Sequence, residues 1–482
     1  MNGSLKKTKI VATLGPSCQT KTRIHQLIKN GVNVFRINFS HAKKEEVLNY
    51  VKTIKSLNKT YDYNTAILAD LQGPKIRIGE LEEDIKLKKG DEIFFETSKY
   101  FVGNKNRIFV NYKNFAKDVK TEDNVLVDDG KYHFKVLKTD KKDKIKLQAL
   151  NDVNLKSRKG VNLPNTKIST PSLTQKDIKD VKFAISFDVD WIALSFVRHE
   201  KDLIALKNLI DKLSKASLSK AKIPIIAKIE KPEALDNIDN IVKNSDGLMV
   251  ARGDLGIEIP SQEVPLIQKK LVNLSKKARI PVIIATQMME SMIESSTPTR
   301  AEVNDVANSV MDGADAVMLS AETSIGNYPC ETVTQISNII NSVEYSDHIT
   351  VPAEPPTMKT ERYITKFICF HAAKTANEIN AAAITTMTHS GYTGFQISSW
   401  RPHSNILVFT SNKRILCRLS LLWGVKAFYY NKNASTDKTI EHINKVVVNN
   451  RFAKKGDMVI NLAAMPVRKK GMVNTLRITE IS

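Results

Sequence analysis

The chain reads as short apolar runs separated by stretches with helical periodicity. "KIVATLG" (9–15) is the first strand-like run, and apolar positions recur at helical spacing near 20–30. "VNVFRINFS" (32–40) is next, followed by a helix from about 43 to 58 and then "TAILADL" (65–71). Later come "DWIALSF" (190–196), "IPIIAKIE" (223–230), "DGLMVAR" (246–252), "PVIIATQ" (281–287) and "DAVMLS" (315–320). Eight short, largely apolar strands alternating with helices predict a (β/α)₈ barrel. A doubly wound open sheet is the alternative, because periodicity alone does not close a barrel.

Two stretches break the alternation. Residues 74–170 carry short alternating segments, such as "DEIFFET", "NRIFV" and "KIKLQAL", between Gly, Asp, Asn and Lys turns. They predict a small all-β insertion after the third strand, standing on a βα loop. "VPAEPPTMKTE" then reads as a linker, with a second α/β unit over 348–482 and strands near 382–387, 405–410, 425–430, 457–463 and 474–481. The catalytic barrel is thus expected over 1–73 and 171–347. No internal repeat or low-complexity segment interrupts the three parts.

Composition narrows the class. At 482 residues the chain is long enough for several domains. No apolar stretch approaches the ~18 residues of a membrane span. The start has basic residues but no apolar leader core, so a cytoplasmic location is expected. Cys18, Cys330, Cys369 and Cys417 are far apart, which argues against a disulfide framework or a zinc site. The net charge of +22 raises the question of a nucleic-acid partner. The lysines are spread along the whole chain, however, and no RNP motif, zinc finger or basic tail accompanies them, so no nucleic-acid partner is expected and such binding stays only as the non-enzyme alternative.

Barrel enzymes place their chemistry at the carboxyl ends of the strands. Side chains alternate faces, so Arg36, Asn38 and Ser40 share one face while Phe35, Ile37 and Phe39 share the other. Lys228 and Glu230 pair in the same way, as do Arg252 and Asp254 around Gly253. Thr286 with Gln287, Ser320 with Glu322, and Asp70 end three further runs. Each has a bland alternative: a local ion pair, a helix cap, a turn that bonds its own backbone. Their coincidence at one end of the strands favours a site. Two carboxylates without a His or Cys cluster suit a hard cation such as Mg²⁺. The positive charge of Arg36 and Lys228 suits a phosphoryl group or a developing oxyanion. Neither GxxxxGK[ST] nor GxGxxG occurs, so a nucleotide is not expected in a P-loop or Rossmann site.

The blocks "RINFSH", "IAKIE", "MVARGDLGIEIP", "ATQMMESM", "PTRAEVNDVANSVMDGADAVMLSAET" and "NTLRI" are similar, in order, to those of the pyruvate kinases. The resemblance covers essentially the whole chain and implies a catalytic barrel, a small β-barrel lid inserted after its third strand, and a C-terminal regulatory domain. It implies transfer of phosphate from phosphoenolpyruvate to ADP, giving pyruvate and ATP in the last step of glycolysis, by a homo-oligomer that is usually a tetramer. Lys228 then matches the transition-state stabiliser, Glu230 and Asp254 the ligands of Mg²⁺ or Mn²⁺, and Arg36 the phosphate-gripping arginine. Gly253, Asp254 and Thr286 match the substrate-carboxylate cradle, and Thr286 with Ser320 the surroundings of the proton-delivering water. Asn38, His41, Arg77 and Lys159 match nucleotide contacts. A metal-dependent aldolase or lyase is the competing enzyme class, with no evident use for a lid.

Two further expectations follow from the resemblance. Asn38, Ser40, Asp70 and the backbone of Leu71 match a monovalent-cation pocket. Leu71, Gln72 and Lys75 resemble the branch in which a lysine replaces the ion, so K⁺ is expected to be dispensable. In "TMTHSGYTG", Thr388, Ser390, Gly391, Tyr392 and Thr393 match a loop that receives a phosphate of a sugar-phosphate effector; a plain capped helix start is the alternative. Arg468, Lys469 and Lys470 are candidates for a second phosphate.

Overall fold

The computed structural model describes residues 6–482 apart from 165, 217–221, 347, 350, 352–353, 359–360, 433–434 and 466–471. Eight parallel strands close into a barrel. They are β1 (Lys9–Thr13), β2 (Val32–Asn38), β3 (Ala66–Asp70), β4 (Trp191–Leu194), β5 (Ile225–Ile229), β6 (Gly247–Ala251), β7 (Val282–Ala285) and β8 (Ala316–Leu319). β1 pairs with both β2 and β8, so the sheet has no edge and the open-sheet alternative is set aside. Helices cover the outside, which is why the strands are apolar on both faces.

The two faces form separate cores. Val11, Val34, Leu68, Trp191, Ala193, Ile226, Met249, Ile283 and Met318 pack inside the barrel. Phe35, Ile37 and Phe39 point outward to the helices, as the alternation predicts. Continuing the inward positions to the strand ends brings Thr13, Arg36, Asp70, Ser195, Lys228 and Ser320 to the barrel mouth. One strand residue places one polar group.

The lid follows β3. Six of its strands form one sheet, in which Asn124–Val127, Tyr132–Thr139 and Lys144–Ala149 make a meander. Ile85–Leu87 and Val153–Leu155 pair as a second, two-stranded sheet. Phe95, Phe115, Phe134 and Val136 fill the core that they share. Arg198 of the barrel donates to the carbonyl of Thr170 at 2.5 Å, which holds the returning chain.

The C-terminal unit has a five-stranded sheet of β9 (Ala383–Met387), β10 (Asn405–Thr410), β11 (Val425–Tyr429), β12 (Met458–Ala463) and β13 (Thr475–Glu480). Their spatial order is β11-β10-β9-β12-β13, with β13 antiparallel. This unit seals the amino end of the barrel. Leu421 packs into the interior cluster, and the Trp191 indole donates to the Arg418 carbonyl at 3.2 Å. Lys9 donates to the Val425 carbonyl at 2.9 Å and Lys7 to that of His403 at 2.6 Å. Among the described residues, no helix is long and apolar enough to cross a membrane.

Candidate active site

The mouth is organised around Asp70, which is 1% exposed. Hydrogen-bond register puts it beside Asn38 on β2 and Ala193 on β4. Arg36 Nε donates to its Oδ2 at 2.6 Å, and Lys228 Nζ lies 3.2 Å from its Oδ1. Burial alone would raise the Asp70 pKa, but the positive charges of Lys228 and Arg36 outweigh it and hold the carboxyl below its ordinary value. Arg36 Nη1 also donates to the Thr13 hydroxyl at 3.0 Å, which leaves Nη2 outside both bonds.

Lys228 is buried among oxygens. Its Nζ donates to the Ser195 hydroxyl at 2.7 Å and stands 2.9 Å from Glu230 Oε1. Burial opposes its charge, yet Asp70 and Glu230 prevail and hold the ammonium above its ordinary value. Glu230 Oε2 accepts from the Phe196 backbone at 2.7 Å. Burial pushes the Glu230 pKa up; Lys228 opposes the rise, and the charge of Asp254 adds to it. A buried carboxylate that feels a second acid in this way is one that a cation relieves.

Ser195 and Thr13 were not anticipated from the sequence. Both obey the alternation that identified Arg36 and Lys228, so the same signal would have found them. Ser195 also donates to the Leu71 carbonyl at 2.7 Å, tying the β3 loop to Lys228.

Two expectations need correction. Arg252 and Asp254 do not share a strand face, because β6 ends at Ala251 and a helix, Arg252–Glu258, starts at once. Arg252 reaches Asp305 at 2.6 Å and the Thr286 carbonyl at 2.8 Å, and Asp254 stays at the mouth. Lys75 does not reach Asp70. Its Nζ is 4.0 Å from Asp254 Oδ1, and Asp70's ion-pair partners among the described residues are Arg36 and Lys228. The Asn38 and Leu71 oxygens of the pocket are also engaged. Asn38 Oδ1 accepts from the Ser40 amide at 3.0 Å, and the Leu71 carbonyl accepts from Ser195.

Thr286 joins the site against strand parity. Its φ of +72° and that of Gln287, +55°, are left-handed, which costs a β-branched residue about 1–3 kcal/mol. Thr286 Oγ1 accepts from the Gly253 amide at 2.7 Å and donates to the Ala285 carbonyl at 2.6 Å. The expected cradle donor of Gly253 is thus held by Thr286. A Cβ at Gly253 would stand 3.2 Å from that hydroxyl, tighter than an ordinary contact, so a larger residue would have to displace Thr286 slightly. Ser320 stands at the N-cap position of the short helix after β8 without a side-chain cap bond, and its amide donates to Glu322 at 2.6 Å.

A cationic rim surrounds the mouth. Burial lowers the His41 pKa, and the charges of Arg77, Lys75, Arg36 and Lys176 lower it further. Asn38 ends β2 close by, and Arg77 belongs to the lid, bridged to Gly160. Lys159, on the same lid segment as Gly160, pairs with Asp128 at 2.7 Å.

The effector candidates lie far from this mouth. The Gly391 amide donates to the Thr388 hydroxyl at 3.1 Å and that of Tyr392 to Ser390 at 3.4 Å, while the helix that follows has Gly391 as its N-cap and no side-chain cap. Thr393 is buried, and Ser390 and Tyr392 line a cleft of about 1440 Å³ between barrel and C-terminal unit. Arg468, Lys469 and Lys470 fall outside the described residues.

Comparison with known proteins agrees with this geometry. Residues 5–333 match the family model "Pyruvate kinase, barrel domain", and residues 366–479 match "Pyruvate kinase, alpha/beta domain". The chain is 38% identical over 476 residues to pyruvate kinases of two Staphylococcus aureus strains, MRSA252 and USA300, covering 98% of this chain and 80% of theirs. The crystal structure of a pyruvate kinase from Cryptosporidium parvum superposes with a TM-score of 0.91 at 34% identity, covering 99% of this chain and 96% of that one. With a closed barrel, an inserted β lid and a C-terminal α/β unit all in place, this chain belongs to the pyruvate kinase family.

Proposed function

We propose that this chain transfers the phosphoryl group of phosphoenolpyruvate to ADP, giving pyruvate and ATP, at the mouth of the barrel. The observation that carries the reading is Lys228: a buried ammonium, kept charged by Asp70 and Glu230, where an anion would form. An oxygen of the ADP terminal phosphate attacks phosphorus, the bond from phosphorus to the enol oxygen breaks, and the enolate carbon takes up one proton. Lys228 stabilises the negative charge on the leaving enolate oxygen and the passing phosphoryl group. Arg36, oriented by Asp70 and Thr13, grips the phosphate through its remaining amine. Gly253, Asp254 and Thr286 position the carboxylate. Thr286 and Ser320 border the water that delivers the proton.

Glu230 and Asp254 fit a divalent cation, because the charge of Asp254 adds to the cost of ionising the buried Glu230. Among the described residues, no group of three or more His, Cys, Asp or Glu offers an all-protein cage. That donor count suits Mg²⁺ or Mn²⁺, whose shell substrate oxygens and water complete. When bound, the ion supplies Lewis-acid polarisation of phosphoryl and enol oxygens.

His41, Arg77 and Asn38 receive the nucleotide phosphates, and the lid brings Lys159 over them and excludes water. The reading includes the division into a catalytic barrel (1–73 and 171–347), a lid (74–170) and a regulatory unit (348–482). It also includes a homotetramer in the cytoplasm and a sugar-phosphate effector at Thr388–Thr393. Lys75, by placing fixed positive charge at the mouth, makes K⁺ dispensable. The test is a coupled assay for pyruvate that supplies phosphoenolpyruvate, ADP and Mg²⁺ together and one at a time. Pyruvate formed without ADP would overturn the reading.

A further inference from the structure

Behind the mouth lies a second buried ion pair. Lys231 follows Glu230 directly, and its Nζ lies 2.6 Å from Glu258 Oε1. Both side chains are nearly sealed, 5% and 1% exposed. Glu258 ends the helix that carries Gly253 and Asp254, one turn beyond Asp254 and on the same side. The same Oε1 accepts a hydrogen bond of 2.8 Å from Asn162 Nδ2. Asn162 belongs to the lid. It pairs with Leu126 in the six-stranded sheet and sits three residues after Lys159. Glu258 Oε2 is buried with no hydrogen-bond partner. A buried carboxylate left that short of donors depends heavily on the donors it has.

We propose that Asn162, Glu258 and Lys231 are positioning residues that tie the closed lid to the geometry of the divalent-cation ligands. Lys231 fixes the backbone at Glu230, Glu258 fixes the helix bearing Asp254, and Asn162 links both to the lid segment that carries Lys159. Lid opening takes the Asn162 amide away from Glu258 Oε1 and leaves that carboxylate one donor fewer. The lid and the two acids therefore share a single arrangement. Nucleotide under the lid and cation on Glu230 and Asp254 then strengthen each other's binding, and by linkage the factor is equal in both directions. The inference rests on the proposed reaction for the identity of the nucleotide, not for the existence of the coupling.

The experiment measures Mn²⁺ affinity of the full chain by electron paramagnetic resonance, with and without ADP, in wild type, Asn162→Ala and Asn162→Asp. Hydrogen exchange of the lid is followed in parallel. In wild type, ADP is expected to tighten Mn²⁺ binding beyond what Mn²⁺ bound to ADP in solution accounts for. Loss of one charge-assisted hydrogen bond should cut that coupling by about tenfold in Asn162→Ala. Asn162→Asp sets a like charge against Glu258, so its lid should exchange faster even without ligand. KM for ADP should rise in both variants more than kcat falls. Coupling unchanged in Asn162→Ala, with only a lower Tm, would overturn the proposal and leave a purely structural ion pair. Wild type that forms no pyruvate yet shows coupling between ADP and Mn²⁺ would instead reject the proposed reaction and keep the latch.

Discussion

Buried lysines stand at both ends of the barrel, and the two ends treat them oppositely. At the carboxyl end, Lys228 lies between Asp70 and Glu230, which hold its charge above the ordinary range against burial. At the amino end, burial pulls Lys7 and Lys9 down to about 8, with Glu344 opposing. Their Nζ atoms donate to carbonyls of the C-terminal unit, while Glu344 accepts from the Lys7 and Thr8 amides at 2.7 and 2.5 Å. A carbonyl satisfies a hydrogen bond but does not balance a charge; a carboxylate does both. The mouth therefore keeps a permanent cation, and the seam keeps two lysines on the edge of neutrality.

Substitutions at the two ends should separate these roles. Lys228→Met is expected to retain Mn²⁺ binding and lose about 10³-fold or more in kcat. A variant within tenfold of wild type would erase the contrast. Asp70→Asn strips the carboxylate that faces both Arg36 and Lys228. Denaturant unfolding should show a loss of about 3–5 kcal/mol, because two buried cations lose their shared partner. Lys9→Met should leave kcat within about twofold, since a neutral side chain at the seam avoids burying a charge.

The seam should also appear in the pH dependence of stability. A lysine whose folded pKa is below its unfolded value binds fewer protons when folded. Stability then rises with pH between about 8 and the ordinary lysine value near 10.4. Asp190 opposes this only at lower pH, because burial raises its pKa to about 7 and its destabilising ionisation is complete above that. The buried thiols of Cys18, Cys369 and Cys417, raised by burial, pull the other way as pH nears 9, so the test is the difference: from pH 7.5 to 9.5 the melting temperature of Lys9→Met should gain less with pH than that of wild type. The smallest effect is expected at the rim. Replacing K⁺ by a large inert cation at constant ionic strength should change kcat by less than about twofold if Lys75 supplies the charge. Lys75→Glu should install a potassium requirement.

The barrel was legible because each of its elements follows a local rule. Alternation along β2 and β5 placed Arg36, Lys228 and Glu230 correctly, and the same rule extends to Thr13 and Ser195. It fails where the backbone leaves the strand. Thr286 enters the site through two successive left-handed residues, and Arg252 starts a helix instead of continuing β6. Neither departure has a glycine or proline at the residue concerned to announce it. Lys75 was misplaced for a different reason. Its partner, Asp254, is chosen by how the lid returns over the barrel, and no local pattern near residue 75 encodes that.

Leu421 gives the molecule an order of assembly. Its side chain completes the interior of a barrel whose last strand ends at Leu319, and Trp191 waits for the same turn. During synthesis the eight strands leave the ribosome well before the residue that closes their floor. A nascent chain stopped after β8 exposes the apolar base of its barrel and is a natural client for chaperones. Contacts so distant in sequence also make the final closure slow. The C-terminal unit is thus part of the barrel's own folding problem, and removing it should yield aggregation in place of a smaller enzyme.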